Sequence, residues 1–356
     1  MKINVKLLSA LSLMTAAGAA MAADAPSLSK VLEASGITAT GYVEAGYEYV
    51  STIPSYRVFD TEHSAFSLHQ AAFSLAYQPK DGFGALVNIT TGNDAEVIHS
   101  TGSFDSGSFD VTQAFVQYAG GPVTIIAGKY VTLAGAEVIN STGDTNLSRS
   151  VLFGYAIPFT HTGVRATFAA SDEISFIVGV NNGWDQVRDL NTQKTAELGV
   201  AYTTKPFVLA AQAYLGSEPT AVGGGQRQLL DIVATFNATD SLSFVLNLDY
   251  GKQQDTAANT DAKWAGLAGY VNYAINDTWR LSFRAENFDD KDGYRLNGPQ
   301  QKVKEGTFTL AAMPSKSAEV RFEVRYDKSD KQSFTETNGM PTDKQYSLGV
   351  EALYKF

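Results

Sequence analysis

The chain has 356 residues, no cysteine and a formal net charge of −10, with 37 acidic and 27 basic residues. The absence of cysteine excludes a disulfide framework and a thiolate metal site. An acidic chain without a basic block is also a poor candidate for nucleic-acid binding.

The first 22 residues have the pattern of a secretory signal peptide. Lys2 and Lys6 provide a positive region, residues 7–20 are apolar, and Ala20-Met21-Ala22 forms a small-x-small cleavage site. We predict that residues 1–22 are removed on export, which changes the net charge to −12 because both lysines are lost. A short membrane anchor is the alternative, but no polar stop-transfer flank follows.

The next segment, residues 23–36, is predicted to be a short periplasmic N-terminal helix. Its helical part runs over 27–35, with Ser27 or Ser29 as the N-cap and Gly36 at the C-terminal end. Beyond it, residues 37–356 show almost no helical period. Segments of about ten residues alternate apolar and polar side chains between turn residues, as transmembrane β-strands do.

The last segment shows this alternation most clearly. One face carries Tyr346, Leu348, Val350, Ala352, Tyr354 and Phe356. The other face carries Gln345, Ser347, Gly349, Glu351 and Lys355, with Leu353 as the exception. An apolar face with aromatic residues near both ends is typical of a lipid-facing strand. A soluble β-sandwich also alternates, but its strands usually have about five or six residues.

The turns alternate between short and long along the chain. Short turns occur near residues 78–82, 119–121, 170–173, 204–206, 238–240, 275–278 and 314–316. Long polar segments occur near residues 50–62, 92–108, 131–160, 183–193, 217–226, 251–262, 288–301 and 328–343. Seven short turns and eight long loops predict 16 strands. The fold class is therefore all-β, a transmembrane antiparallel up-and-down barrel with both chain ends on the periplasmic side.

The third long segment, residues 131–160, is the longest of these loops. A long loop without regular structure is usually functional or disordered. Apolar residues such as Val138, Leu152 and Phe159 favour an ordered loop. A barrel of this strand number encloses an aqueous lumen. We predict that the loop folds into the lumen and narrows it, whereas an extracellular cap is the alternative.

Part of this loop carries a family resemblance. The run from Ser148 to Arg165, SRSVLFGYAIPFTHTGVR, resembles the signature stretch of the OmpL-like β-barrel porin family. The segments 133–138, 181–185 and 32–36 are similar to other pieces of that family. The resemblance is strongest over residues 28–203. It implies a porin but gives neither a substrate nor any site residue.

Charged residues at inward positions define a candidate pore. The predicted constriction in the third loop consists of Glu137, Asp144 and Arg149. The predicted pore lining includes Glu44, Lys129, Arg165, Arg280, Arg284, Arg321 and Arg325. One hypothesis is a transverse electric field, with loop carboxylates facing wall arginines and biasing ion passage. The alternative is that these charges pair with each other and keep the lumen wet.

These observations favour an outer-membrane porin, a water-filled channel through which small hydrophilic solutes and ions diffuse. A non-conducting structural or adhesive barrel is the alternative. An outer-membrane lipase is a third possibility, for which Ser67 and His69 share one face of a strand. No enzymatic activity and no cofactor are predicted. A metal site is not predicted either, because none of the four histidines has a metal-ligand spacing.

The expected partners follow from this location. They are outer-membrane lipids, the permeating solutes and the barrel-assembly machinery. Phe356, with Tyr354 two residues before it, resembles the C-terminal signal that this machinery recognises. The sequence leaves open whether the chain is a monomer or a homotrimer.

Overall fold

The computed structural model describes residue 32 and residues 34–103, 107–257 and 260–356. The predicted signal peptide lies outside the described residues, as does most of the predicted N-terminal helix. Sixteen strands form the main sheet. They are β1 Thr38–Val50, β2 Ala65–Tyr77, β3 Gly82–Thr91, β4 Phe109–Gly120, β5 Val123–Val131, β6 Thr160–Ala169, β7 Ile174–Asn181, β8 Thr195–Thr203, β9 Phe207–Glu218, β10 Gly225–Asn237, β11 Leu242–Ala257, β12 Thr260–Ala274, β13 Trp279–Asp290, β14 Gln301–Ala312, β15 Ala318–Ser329 and β16 Lys344–Lys355.

The sheet is a closed barrel in which each strand pairs antiparallel with its neighbours in the sequence. Closure joins β1 to β16, from Tyr42 opposite Lys355 to Val50 opposite Ser347. The predicted count of 16 strands and the predicted pairing of the last strand with the first are both confirmed. Closure satisfies every strand edge, which a sheet in a bilayer requires.

All seven predicted short turns lie between consecutive strands at one end of the barrel. The predicted long loop at 251–262 is different, because β11 and β12 extend through most of it as a paired hairpin. Its polar residues predicted a loop, but in the structure they continue the two strands. Lys252 of β11 and Asp261 of β12, for example, form an ion pair at 2.8 Å.

The two faces of the barrel differ as the alternation predicts. On β16, Tyr346, Leu348 and Val350 are exposed, whereas Leu353 is buried. On β2, Phe66 and Leu68 are exposed on the outer face. The alternation then breaks, because His69 and Gln70 are both buried although they are adjacent in sequence. The register of β1 against β2 shifts at this point, between Glu44 and Ala45. Such a bulge turns two successive side chains away from the regular alternation.

The long loops contain short elements of their own. The second loop holds helix α1 Asn93–Ile98, and the third holds helix α2 Val151–Tyr155 and a 3-10 turn at Ser141–Gly143. Three short strands, Thr52–Ile53, Phe334–Glu336 and Pro341–Thr342, pair the first loop with the last. Within the described ranges, no helix is long and apolar enough to cross a membrane.

A buried apolar cluster forms where several loops meet the inner wall of the barrel. It joins Phe59 of the first loop, Ile98 of the second and Leu152 of the third to Trp264 of β12 and Leu296 of the seventh loop. Gly266 of β12 permits this contact, because a Cβ atom there would lie 2.6 Å from Leu152 Cδ1. The cluster fixes the third loop against the wall through burial of apolar surface.

Candidate pore site at the third loop

The third loop, residues 132–159, crosses the lumen and contacts strands on different sides of the barrel. On one side, Gln70 of β2 donates a hydrogen bond to the Ile139 carbonyl at 3.0 Å. On another, Trp264 of β12 donates to the Ala156 carbonyl at 3.0 Å. These contacts place the loop inside the barrel rather than above it.

Three arginines of the wall bind backbone carbonyl groups of this loop. Arg321 donates to the carbonyls of residues 141, 144 and 146 at 2.9, 2.8 and 3.1 Å. Arg284 donates to the Ser148 carbonyl at 2.6 Å, and Arg325 donates to the Arg149 carbonyl at 2.6 Å. A guanidinium group has five donors in a rigid fork, so it can hold several carbonyls at once.

Two carboxylates of the same wall accept backbone N–H groups of the loop. Glu323 accepts from the amides of residues 147 and 148 at 2.7 and 2.9 Å. Glu286 accepts from Val151 and Leu152 at 2.5 and 3.1 Å, at the start of α2. The Ser150 hydroxyl caps the same helix by accepting from the Phe153 amide at 3.0 Å. Strands β13 and β15 therefore bind the loop backbone in two ways: their arginines donate to its carbonyl groups, and their glutamates accept from its N–H groups.

The three predicted constriction residues are buried in ion pairs. Glu137 lies 2.7 Å from Arg284 of the wall. Asp144 lies 3.1 Å from Arg149 within the loop. Burial raises the pKa of Asp144 to about 7, although the Arg149 guanidinium opposes this shift. Because the carboxylates and guanidinium groups are in contact, much of their charge is neutralised locally.

The other predicted lining residues also lie on the inner wall. Lys129 pairs with Asp110 at 3.0 Å, and Arg165 lies 2.8 Å from a carboxylate oxygen of Glu197. Arg280 pairs with Glu319 at 2.5 Å, near the loop carbonyl of Thr145. Glu44 is buried on β1. These side chains therefore lie on the inner face of the barrel, and most of them have a specific ion-pair partner there.

A cavity of about 280 Å³ lies between the third loop and the opposite wall, which β1–β5 form. Ser74, Asn88 and Gln113 contribute polar groups from the strands. Asn140 and Thr142 of the loop line this cavity and also a second one of about 280 Å³. The second cavity reaches the end of the barrel at which the chain ends, with Phe356 in its lining.

The proposed lipase pair does not have the geometry that its activity would need. Ser67 and His69 are both buried within the barrel, whereas Phe66 and Leu68 occupy the outer face. His69 contacts Glu48 at 2.5 Å and Asp94 of α1 at 3.3 Å, so it joins the second loop to the wall. Among the described residues, no group of three or more metal-ligating side chains could hold a metal ion.

The chain terminus takes part in closing the barrel. Phe356 and Gly41 exchange two backbone hydrogen bonds, at 2.9 and 3.0 Å. A Cβ atom on Gly41 would lie 2.6 Å from the Phe356 ring and 2.9 Å from the Ala72 carbonyl oxygen. Glycine is therefore required where the terminal ring passes over β1. Tyr354 lies on the exposed outer face and pairs with Val43 in register.

The family model described as "Putative beta-barrel porin-2, OmpL-like" matches residues 36–356. The chain belongs to this porin family. It is accordingly an outer-membrane protein, and the resemblance that the loop sequence indicated is confirmed over almost the whole chain. A search of curated proteins found no match to this porin.

Solved structures share the barrel fold at low sequence identity. The anion-selective porin from Comamonas acidovorans has a TM-score of 0.68 at 12% identity, covering 90% of this chain and 99% of that one. A trimer form of OmpT from Vibrio cholerae has a TM-score of 0.64 at 12% identity, and the match covers 90% of this chain and 99% of that one. The outer membrane channel DcaP of Acinetobacter baumannii has a TM-score of 0.60 at 14% identity, and the match covers 90% of this chain and 97% of that one.

Sequence reasoning missed several residues that hold the porin's third loop. The alternation places Glu286, Glu323 and Gln70 near or on the inner wall, but it does not indicate which backbone groups they bind. Trp264 could have been identified from the sequence as a contact of the loop, because it is a large aromatic residue at an inward position among the small residues of β12. An aromatic side chain on a polar wall indicates an apolar partner inside the barrel.

Proposed function

We propose that this porin is a diffusion channel for small hydrophilic solutes and ions. The observation that carries this proposal is the position of the third loop, which occupies the lumen but leaves a cavity along β1–β5. The passage would therefore be eccentric and bounded by the loop on one side and by polar strand residues on the other. No catalytic step is needed for this function.

The structure supports a narrow channel rather than a wide one. The third loop shares the lumen with α1 and with apolar residues of the first and seventh loops. Solutes would pass beside this packed material, so the size limit would be set where the loop faces Asn88 and Thr90 of β3. Polar walls lower the cost of passage for hydrated solutes.

A non-conducting barrel is the second candidate, and the apolar loop cluster favours it. If the packed loops close the lumen completely, the extracellular segments would be the working part of the protein. Purified protein inserted in a planar bilayer separates the two functions. Discrete conductance steps are expected, in protein shown to be folded by heat-modifiable gel mobility. Folded protein without such steps would refute the channel and leave the closed barrel.

A further inference from the structure

The wall that holds the third loop and the surface that faces the cavity differ in charge, and this difference bears on the solute. On β13–β15 the arginines and carboxylates are engaged with the third loop or with each other. Along β1–β5 the cavity is faced by amide and hydroxyl side chains together with Tyr42 and Val131. The charged part of β13–β15 is therefore covered by the loop, whereas the part of β1–β5 that faces the open space carries no charged side chain.

The charges that remain beside the open space are few. Among the described residues that line the two cavities, the charged side chains are those of Glu137 and Lys355. Glu137 is 6% exposed and is neutralised by Arg284 at 2.7 Å. Lys355 lies next to the terminal Phe356, in the second cavity alone. A charged solute in the first cavity would lose part of its hydration without meeting an unpaired opposite charge, which is unfavourable.

The uncharged groups of the cavity form a suitable surface for hydroxyl groups. Asn88 donates to Ser74 at 3.1 Å, and Thr112 donates to Thr90 at 2.8 Å. Hydroxyl groups both donate and accept, and an amide offers one of each kind of group, so such walls can exchange hydrogen bonds with a polyol in many orientations. The rings of Phe153 and Phe159 add apolar surface to the same cavity.

We propose that the cavity between the third loop and β1–β5 selects uncharged, hydroxyl-rich solutes of about monosaccharide size. Its volume of about 280 Å³ is near the lower end for small-molecule sites, which begin at about 300 Å³. Like other small-molecule sites, the cavity combines fixed polar groups with apolar surface. This inference rests on the proposed channel function and specifies its substrate class.

Uptake into proteoliposomes tests the substrate class with unmodified protein. Radiolabelled glucose, gluconate and glucosamine are similar in size but are neutral, anionic and cationic, respectively. Glucose is expected to enter about tenfold faster than either charged solute, a ratio that corresponds to 1.4 kcal/mol. Equal or faster entry of gluconate or glucosamine would overturn the proposed selectivity while leaving the channel function intact.

Two substitutions test the route itself. Asn140 accepts a hydrogen bond from the Thr142 amide at 2.9 Å, and Gln113 accepts from the Val131 amide at 3.3 Å. Asn140→Asp and Gln113→Glu keep these acceptors and add a negative charge on opposite sides of the cavity. Each is expected to shift the reversal potential under a salt gradient towards cation selectivity and to slow gluconate uptake further.

Asn276→Asp is the matched control. Asn276 also accepts backbone hydrogen bonds, at 2.9 and 3.0 Å, but it lies in an exposed periplasmic turn. This variant is expected to keep the wild-type reversal potential. If the wild type conducts but neither cavity variant shifts the potential, the route lies elsewhere and the inference is wrong. If no solute enters and no conductance steps occur, the channel function fails, and with it the inference.

Discussion

The attachment of the third loop to β15 can be tested by removing one charge. In Glu323→Gln the side chain keeps its shape, but one carboxylate oxygen becomes an NH2 group. The carboxylate accepts from the Leu147 and Ser148 amides and from the Thr309 hydroxyl. A glutamine can accept at one oxygen only, so one buried backbone N–H group would face another donor.

The size of the effect follows from these bonds. A hydrogen bond to a charged group contributes about 1.5–3 kcal/mol. Loss of about 2 kcal/mol from loop docking would raise the undocked fraction about 30-fold, since 1.4 kcal/mol is a factor of ten. Because the loop occupies the lumen, undocking would widen the passage. Single-channel recording of Glu323→Gln should therefore show more frequent excursions to a larger conductance than the wild type shows.

Glu173→Gln, in the exposed short turn between β6 and β7, is the matched control and should behave as the wild type. Heat-modifiable gel mobility would first establish that both variants form the barrel. If folded Glu323→Gln has the wild-type conductance and the same rarity of larger steps, the carboxylate does not hold the loop. The assignment of β15 as a docking wall would then be refuted.

Three further predictions concern the same lumen and its closure. Deletion of residues 134–146 should increase conductance, because it removes most of the loop segment that lines one side of the cavity; unchanged steps would contradict a constriction. Asp144→Asn should leave the reversal potential unchanged, because neither Asp144 nor its ion-pair partner Arg149 lines the two cavities along β1–β5; a shift there, or in Glu137→Gln, would support the transverse field. Deletion of Phe356, or Gly41→Val beneath its ring, should reduce the amount of folded barrel in the membrane; normal levels would exclude an assembly role for this contact.

The barrel was predictable because lipid imposes a simple pattern on the sequence. Each strand must present apolar residues outward at every second position, and the alternation in β16 from Tyr346 to Tyr354 shows this directly. Turn composition then gave the strand count. The bulge at His69 and Gln70 was not predictable, because either polar side chain could lie on the inner wall of a regular strand. The β11–β12 hairpin was missed because polar strand residues and polar loop residues have similar compositions.

The candidate site was predictable only in part, for a related reason. Period two shows which side chains point inward, and it placed Arg284 and Arg321 on the inner wall. It cannot show that their partners are backbone carbonyl groups, because every residue of the third loop carries a carbonyl. The apolar anchors of the loop did indicate that it is ordered. The choice of wall depends on packing against Trp264 and Gly266, which no local pattern in the loop reveals.

The arginines of the inner wall consequently have a different physical meaning from the one that their number suggests. Arginines exposed to an open lumen would attract anions and steer their passage. Here the guanidinium groups of Arg284, Arg321 and Arg325 are buried against the third loop and bind its carbonyls. A group held in this way positions the loop, and the loop in turn moves the open space towards the uncharged, cavity-lining residues of β1–β5. The charge of the wall would thus influence selectivity indirectly, by determining where the passage runs.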